Sequence, residues 1–143
     1  MPAQVQYSQE IDRPIAKVFH FIVTDHVRNH PRWDPDMELE QVSDGPIGLG
    51  TVIRRRNSRS GTPVEGTMEV VEYELNRVMG VVIHDGPVEV QSRVVFDAVS
   101  EDRTAVTIYI EFPDMDESMD MSNLMSALER SGNLRKQLIE SEV

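Results

Sequence analysis

Residues 78–112 read VMGVVIHDGPVEVQSRVVFDAVSEDRTAVTIYIEF, and their alternation decides the fold class. Two breaks divide the stretch, Gly86-Pro87 and Ser100-Glu101-Asp102, both made of residues that suit tight turns. They leave three strands, Val78–Asp85, Val88–Val99 and Thr104–Phe112. A two-residue connection at Gly86-Pro87 sets Asp85 opposite Val88. Val81 and Ile83 then share a face with Val90, Ser92, Val94 and Phe96, while His84 points the other way. In the third strand Val106, Ile108, Ile110 and Phe112 form the apolar parity. Three consecutive strands with hairpin connections make an antiparallel meander.

Working upstream, Glu65–Leu75 and Thr51–Ser58 carry the same period, separated by Ser60-Gly61-Thr62-Pro63. Another strand begins with Met37, Leu39 and Gln41. Val5–Ile11 alternates Val5, Tyr7 and Ile11 against polar Gln6, Ser8 and Glu10. Between these strands the period changes. Asp12 suits a helix cap and Pro14 its first turn, and Ile15, Val18, Phe19, Ile22 and Val23 recur at helical spacing through Thr24. Asp25–Pro35, with two prolines and Trp33, predicts a second short helix or structured loop. Downstream, an acidic stretch Glu111–Asp120 bridges to a long helix over Met119–Glu142, about 36 Å at ~1.5 Å per residue. Ser118 is its expected cap. Met121, Leu124, Met125 and Leu128 define its apolar face, continued by Leu134, Leu138 and Ile139. Ser131-Gly132 predicts a kink or a close contact. The expectation is one α+β domain over residues 1–143: a strand, two short helices, six antiparallel strands and a long C-terminal helix.

Composition narrows the functions open to such a domain. None of the 143 residues is cysteine, which excludes disulfides, thiolate metal sites and a cysteine nucleophile, and fits a cytoplasmic setting. No run approaches the ~20 apolar residues of a membrane span, and MPAQVQYSQEI lacks the pattern of a secretory signal. The formal charge is −11, and it is unevenly placed. The first sixty residues balance eight basic against eight acidic side chains, and the remainder holds six against seventeen. A field of that sign repels phosphate backbones and anionic lipid surfaces, so nucleic acid and membrane are not expected partners.

Several local patterns bear on chemistry. His26 and His30 stand at i, i+4 beside Asp25 and Asp34, a spacing able to place two metal ligands on one helical face. With no third ligand in a motif and Arg28 and Arg32 close by, they read as solvated polar residues near a helix end. Asp114–Asp120 imitates the opening of a calcium loop, yet Met119 and Met125 occupy the positions of its glycine and closing glutamate. Met115, Met119, Met121 and Met125 read as adaptable packing. Gly45-x-x-Gly48-x-Gly50-Thr51 joins strand to strand and so reads as a turn, not a phosphate cradle. No Gly-x-Ser-x-Gly elbow occurs. No metal or cofactor is expected. The run Arg54-Arg55-Arg56 remains: within a strand either Arg55 or the pair Arg54 and Arg56 points inward, and an inward guanidinium requires a partner.

The pattern along the chain resembles the polyketide cyclase/dehydrase branch of the START-related superfamily, which also holds the Bet v 1-like pollen allergens. The matching residues are Ile11-Asp12-Arg13-Pro14 leading into Val18-Phe19-x-Phe21-Ile22-x-x-Asp25, then Trp33 and Pro35. Ser43-Asp44-Gly45-Pro46-x-Gly48-x-Gly50-Thr51 and Glu69–Glu74 come next, then Phe96, Thr104–Ile110 and Asn133-Leu134-Arg135-x-x-Leu138-x-Glu140. The resemblance implies the helix-grip fold, in which a curved seven-stranded antiparallel sheet, with two short helices after strand 1, wraps the long C-terminal helix around a hydrophobic cavity. Aligned on Gly50-Thr51, it implies that Ile53, Arg55 and Asn57 face inward, and that Trp33 closes the cavity. Val81, Ile83, Val94, Phe96, Ile108, Ile110, Leu124, Met125 and Leu128 would form the other walls. The expected function is binding of a small hydrophobic ligand, lipid- or polyketide-like, with Arg55 holding its polar end, in a monomer or homodimer. Two alternatives stand beside it: an aromatase/cyclase- or dehydrase-type enzyme, for which no inward His or Tyr is placed, and an acidic protein–protein interaction module.

Overall fold

The computed structural model describes residues 2–59 and 61–143; Ser60 of the expected turn and Met1 lie outside them. The strands are β1 (Pro2–Ile11), β2 (Met37–Gln41), β3 (Val52–Asn57), β4 (Val64–Glu74), β5 (Val78–Asp85), β6 (Val88–Ser100) and β7 (Arg103–Asp116). Among the described residues they form a single seven-stranded sheet in the order β1-β7-β6-β5-β4-β3-β2, antiparallel at every pairing. The closure of β1 onto β7 follows from the chain's two long apolar parities meeting, with Val5 opposite Ile110 and Tyr7 opposite Ile108. The central hairpin has the expected register, Asp85 opposite Val88 and Ile83 opposite Val90. Gly86 makes its turn at a φ of 58°, a region that costs glycine little.

Three helices complete the fold: α1 (Ile15–Phe19), α2 (His26–Trp33) and α3 (Ser122–Glu142). A wide turn over His20–Thr24 links the first two, closed by the Asp25 amide donating to the His20 carbonyl five residues back at 2.9 Å. That turn is one residue wider than an α-helical turn, and α2 begins directly after Asp25, at His26. Asp12 does not cap α1. Its amide donates to Glu140 and its carboxylate accepts from Arg103 instead. The acidic stretch expected as a linker is largely strand, since β7 runs on to Asp116. Helix α3 therefore begins later than expected, at Ser122, whose amide donates to the Asp120 carboxylate at 2.9 Å. Its 21 residues span about 31 Å.

The core lies at the end of the sheet covered by α1 and the wide turn, where Phe19 packs edge-on against Phe96 and Tyr73 at 5.0 and 5.8 Å. Helix α3 meets the sheet differently. Its C-terminal half lies along edge strand β1, where Gln9 donates to the Gly132 carbonyl, Arg135 donates to Gln9, and Lys136 donates to the Glu10 carbonyl. Arg13 donates to the carbonyls of Glu140 and Val143. Gly132 is the close contact: a Cβ there would fall 2.5 to 2.7 Å from the Tyr7 ring and hydroxyl. The helix is continuous through Ser131-Gly132. Leu134, expected on the inner face, is exposed, and Gly132, Arg135 and Ile139 are the buried residues.

Gly132→Ala is expected to destabilise the protein by about 1–3 kcal/mol in urea unfolding, through overpacking against Tyr7. In a Tyr7→Val background the same change should become neutral or stabilising, because alanine favours a helix interior by about 1 kcal/mol. Equal effects in both backgrounds would show that the Tyr7 contact does not set the helix position.

Candidate functional site

Between the concave face of the sheet and α3 lies a cavity of about 510 Å³. Its walls follow from strand parity. Met79, Val81 and Ile83 come from β5, Val88, Val90 and Val94 from β6, and Val106, Ile108 and Ile110 from β7. One face of α3 supplies Leu124, Ala127, Leu128 and Ser131, and α2 supplies Trp33. Of the residues expected from sequence, Trp33, Arg55, Ile83, Val94, Ile108, Leu124 and Leu128 line this space, as do Val81 and Ile110. Ile53, Phe96 and Met125 do not. Ile53 and Phe96 have the inward parity but sit in the solid core, with 0% and 2% exposure, under Phe19 and its neighbours. Met125 is half-buried beside the lining residues of α3.

The three arginines separate as the parity argument requires. The Arg55 side chain is 11% exposed and enters the cavity, whereas Arg54 and Arg56, at 62% and 51%, lie outside and pair with Glu40 and Glu38. Arg55 makes a two-pronged ion pair with Asp85, Nε and Nη2 donating to the two carboxylate oxygens at 3.0 and 3.1 Å. Asp85 is held there by the Gly86 turn, which ends β5 on the same face. The partner that an inward guanidinium needs is thus supplied by the protein.

Sequence reasoning missed a polar cluster beside this pair. His26 and His30, read as solvated, both line the cavity. Their rings are 4.8 Å apart, and His30 lies edge-on to Trp33 at 5.5 Å. His26 Nδ1 is 3.2 Å from the Ile22 carbonyl, so Nδ1 carries the proton and Nε2 the lone pair. His30 Nε2 lies 3.4 Å from Asp34, whose carboxylate also accepts from Arg59 at 2.7 Å. Burial pushes the His26 pKa down to about 3, helped by His30 and Arg55 against the Ile22 carbonyl. His30 is lowered as well, chiefly by burial and further by Arg55 and Arg135, with Asp34 opposing. Burial alone would raise Asp34, but His30 and Arg59 outweigh it and hold its carboxyl below the usual range. Both imidazoles are accordingly neutral at pH 7. Among the described residues no three His, Asp or Glu side chains converge as a metal site.

Arg135 completes the polar end. It is 5% exposed, lines the cavity, and its guanidinium stands 5.8 Å over the Trp33 ring. Burial draws its pKa down to about 10, still far above neutrality. The signal that could have found it is spacing: Leu124, Leu128, Ser131 and Arg135 lie on one helical stripe, i, i+4, i+7 and i+11.

A family model described as polyketide cyclase / dehydrase and lipid transport matches residues 2–133. No curated protein matches the chain. Among solved structures the chain is similar to a START superfamily protein from Mycobacterium smegmatis, at 12% identity and a TM-score of 0.80, covering 98% of this chain and 99% of that one. It is similar to Ara h 8.0201 at 15% identity and a TM-score of 0.73, covering 99% and 97%. The Zhui aromatase/cyclase from Streptomyces sp. R1128 matches at 14% identity and a TM-score of 0.72, covering 99% and 93%. These likenesses establish the helix-grip fold.

A histidine kept neutral in the folded state takes up its proton only on unfolding, so stability falls as pH drops below about 6.5, the unfolded value. For His26 the loss continues to about pH 3 at up to about 1.4 kcal/mol per pH unit. Urea unfolding between pH 6.5 and 4.5 should show this slope, and His26→Asn should flatten it by roughly one proton's worth. Asp34 contributes only below that window, as its carboxyl titrates lower still. Parallel slopes for wild type and variant would refute a neutral buried His26.

Proposed function

Because the chain belongs to the polyketide cyclase/dehydrase and lipid transport family, we propose that it binds a small, predominantly hydrophobic molecule between sheet and α3. The observation that carries this reading is the cavity itself. Most of its lining is aliphatic, drawn from β5, β6, β7 and α3, and its polar groups gather at the α2 end. A volume of about 510 Å³ is within the range of sites for small organic ligands. Covering about 250 Å² of apolar ligand surface at roughly 25 cal/mol per Å² contributes about 6 kcal/mol, before the cost of association.

A neutral hydrophobic fluorophore, N-phenyl-1-naphthylamine, should bind the purified protein with enhanced emission. Val94→Trp, which places an indole in the cavity wall, should weaken that binding by about tenfold or more while thermal melting stays cooperative. Absence of binding to the wild type, or equal binding by the variant, would overturn the reading.

One observation favours a second reading, an enzyme acting on a β-keto substrate. The Ile22 carbonyl fixes the tautomer of His26, leaving a lone pair on Nε2 of a neutral imidazole in the cavity. Nε2 can there accept a hydrogen bond or a proton from a substrate, but burial, His30 and Arg55 hold the imidazole's pKa at about 3, so it is a weak base at neutral pH. Exchange of the α-protons of a β-keto thioester into deuterium oxide, monitored by NMR, should be faster with wild type than with His26→Gln, by less than the roughly hundredfold of a base whose pKa matches the operating pH. Identical rates would remove His26 from the scheme.

A further inference from the structure

The charges around the cavity do not cancel. Arg55 is neutralised by Asp85 and Arg59 by Asp34, and both imidazoles are neutral. Arg135 remains. Its Nε and Nη2 both donate to one acceptor, the amide oxygen of Gln9, at 2.9 and 2.6 Å. That partner is uncharged, and the Gln9 amide group is itself committed to the Gly132 carbonyl. Among the described residues no carboxylate lies within 4.0 Å of the guanidinium. Nη1 donates to no protein acceptor and keeps some accessible surface, and Arg135 is among the residues that line the cavity. A buried cation facing an apolar cavity with donors to spare is costly unless an anion completes it.

We propose that the cavity is a site for an amphipathic carboxylic acid, its carboxylate on Arg135 and its apolar body along α3. This rests on the binding reading above and adds the ligand's chemical class and direction. Three features set the pose. Trp33 lies under the guanidinium plane and holds its orientation. Ser131, one turn before Arg135 on the same stripe and also in the lining, presents a hydroxyl able to donate to the second carboxylate oxygen. Leu128 and Leu124 continue that stripe away from the charge for about 16 Å of helix. The polar end of the ligand is therefore assigned to Arg135 and not to Arg55, whose fork is already filled by Asp85.

The test compares two acids with their neutral amides: decanoic acid with decanamide, and naphthylacetic acid with naphthylacetamide. Each is titrated by displacement of N-phenyl-1-naphthylamine from wild type, Arg135→Met and Arg135→Gln. The wild type should prefer acid to amide by about tenfold or more, the range of a charge-assisted hydrogen bond. In either variant the preference should fall to within about twofold, while the neutral fluorophore still binds and so reports an intact cavity. Equal affinity for acid and amide in wild type, or a preference that survives in both variants, overturns the proposal and leaves the binding reading standing. Failure of the fluorophore itself to bind wild type overturns both.

Discussion

The position of α3 rests on one seam. Its C-terminal half is pinned to edge strand β1 by Gly132 against Tyr7 and by the Arg135–Gln9–Gly132 hydrogen bonds. Only glycine lets the helix backbone approach the Tyr7 ring that closely, and the approach fixes the height of the helix above the sheet. The N-terminal half then passes over β5, β6 and β7 without a comparable backbone contact, so Leu124 and Leu128 look into open space. The cavity is thus a consequence of where the helix is tied down. Edge strand β1 would otherwise expose a row of unpaired backbone groups on one side; Lys136 from α3 reaches that edge, donating to the Glu10 carbonyl.

The seam also explains why a guanidinium is inside at all. Position 135 lies one turn beyond Gly132 on the buried face of α3, and the long side chain passes from the β1 edge to the cavity's polar end. Burial of an ion costs several kcal/mol unless it is paired and hydrogen-bonded. Arg55 meets that requirement with Asp85 and two well-aligned bonds. Arg135 meets it only in part, with an amide and an aromatic face. Arg55 and Arg135 line the same cavity and are treated differently, and the neutral histidines follow first from burial and then from that field.

Much of the architecture was legible because strands report their faces by simple alternation. The meander of residues 78–112 has the hairpin register expected, and the same rule separates Arg55 from Arg54 and Arg56, while the alignment on Gly50-Thr51 picks out Arg55 as the inward one. Alternation says which face a residue takes, however, and not what covers that face. Ile53 and Phe96 share the parity of the cavity walls, but both are packed into the solid core, Phe96 directly against Phe19 of α1. The helices are harder to read. In α2 the i, i+4 histidines resemble a solvated surface, yet both line the cavity, because spacing within a helix does not say which neighbour its polar face meets. In α3 the apolar pattern nominates Leu134, one residue short of the true stripe, because a buried arginine disguises the face it occupies.

The inner cation and the acidic exterior act at different ranges. The excess of carboxylates lies largely on outward strand positions and at the end of β7, in contact with solvent. There their field decays over about 8 Å at physiological ionic strength. The guanidinium of Arg135 is enclosed, so neither salt nor water screens it comparably, and its interactions are correspondingly stronger. A net formal charge of −11 therefore does not describe what a molecule inside the cavity encounters. The coat disfavours polyanionic partners at the surface, while the interior favours a single negative charge on an otherwise apolar body. Selection of that kind needs no change in the outer face of the sheet, because it is set by the side chains that α2, α3 and β1 bring to one end of the cavity.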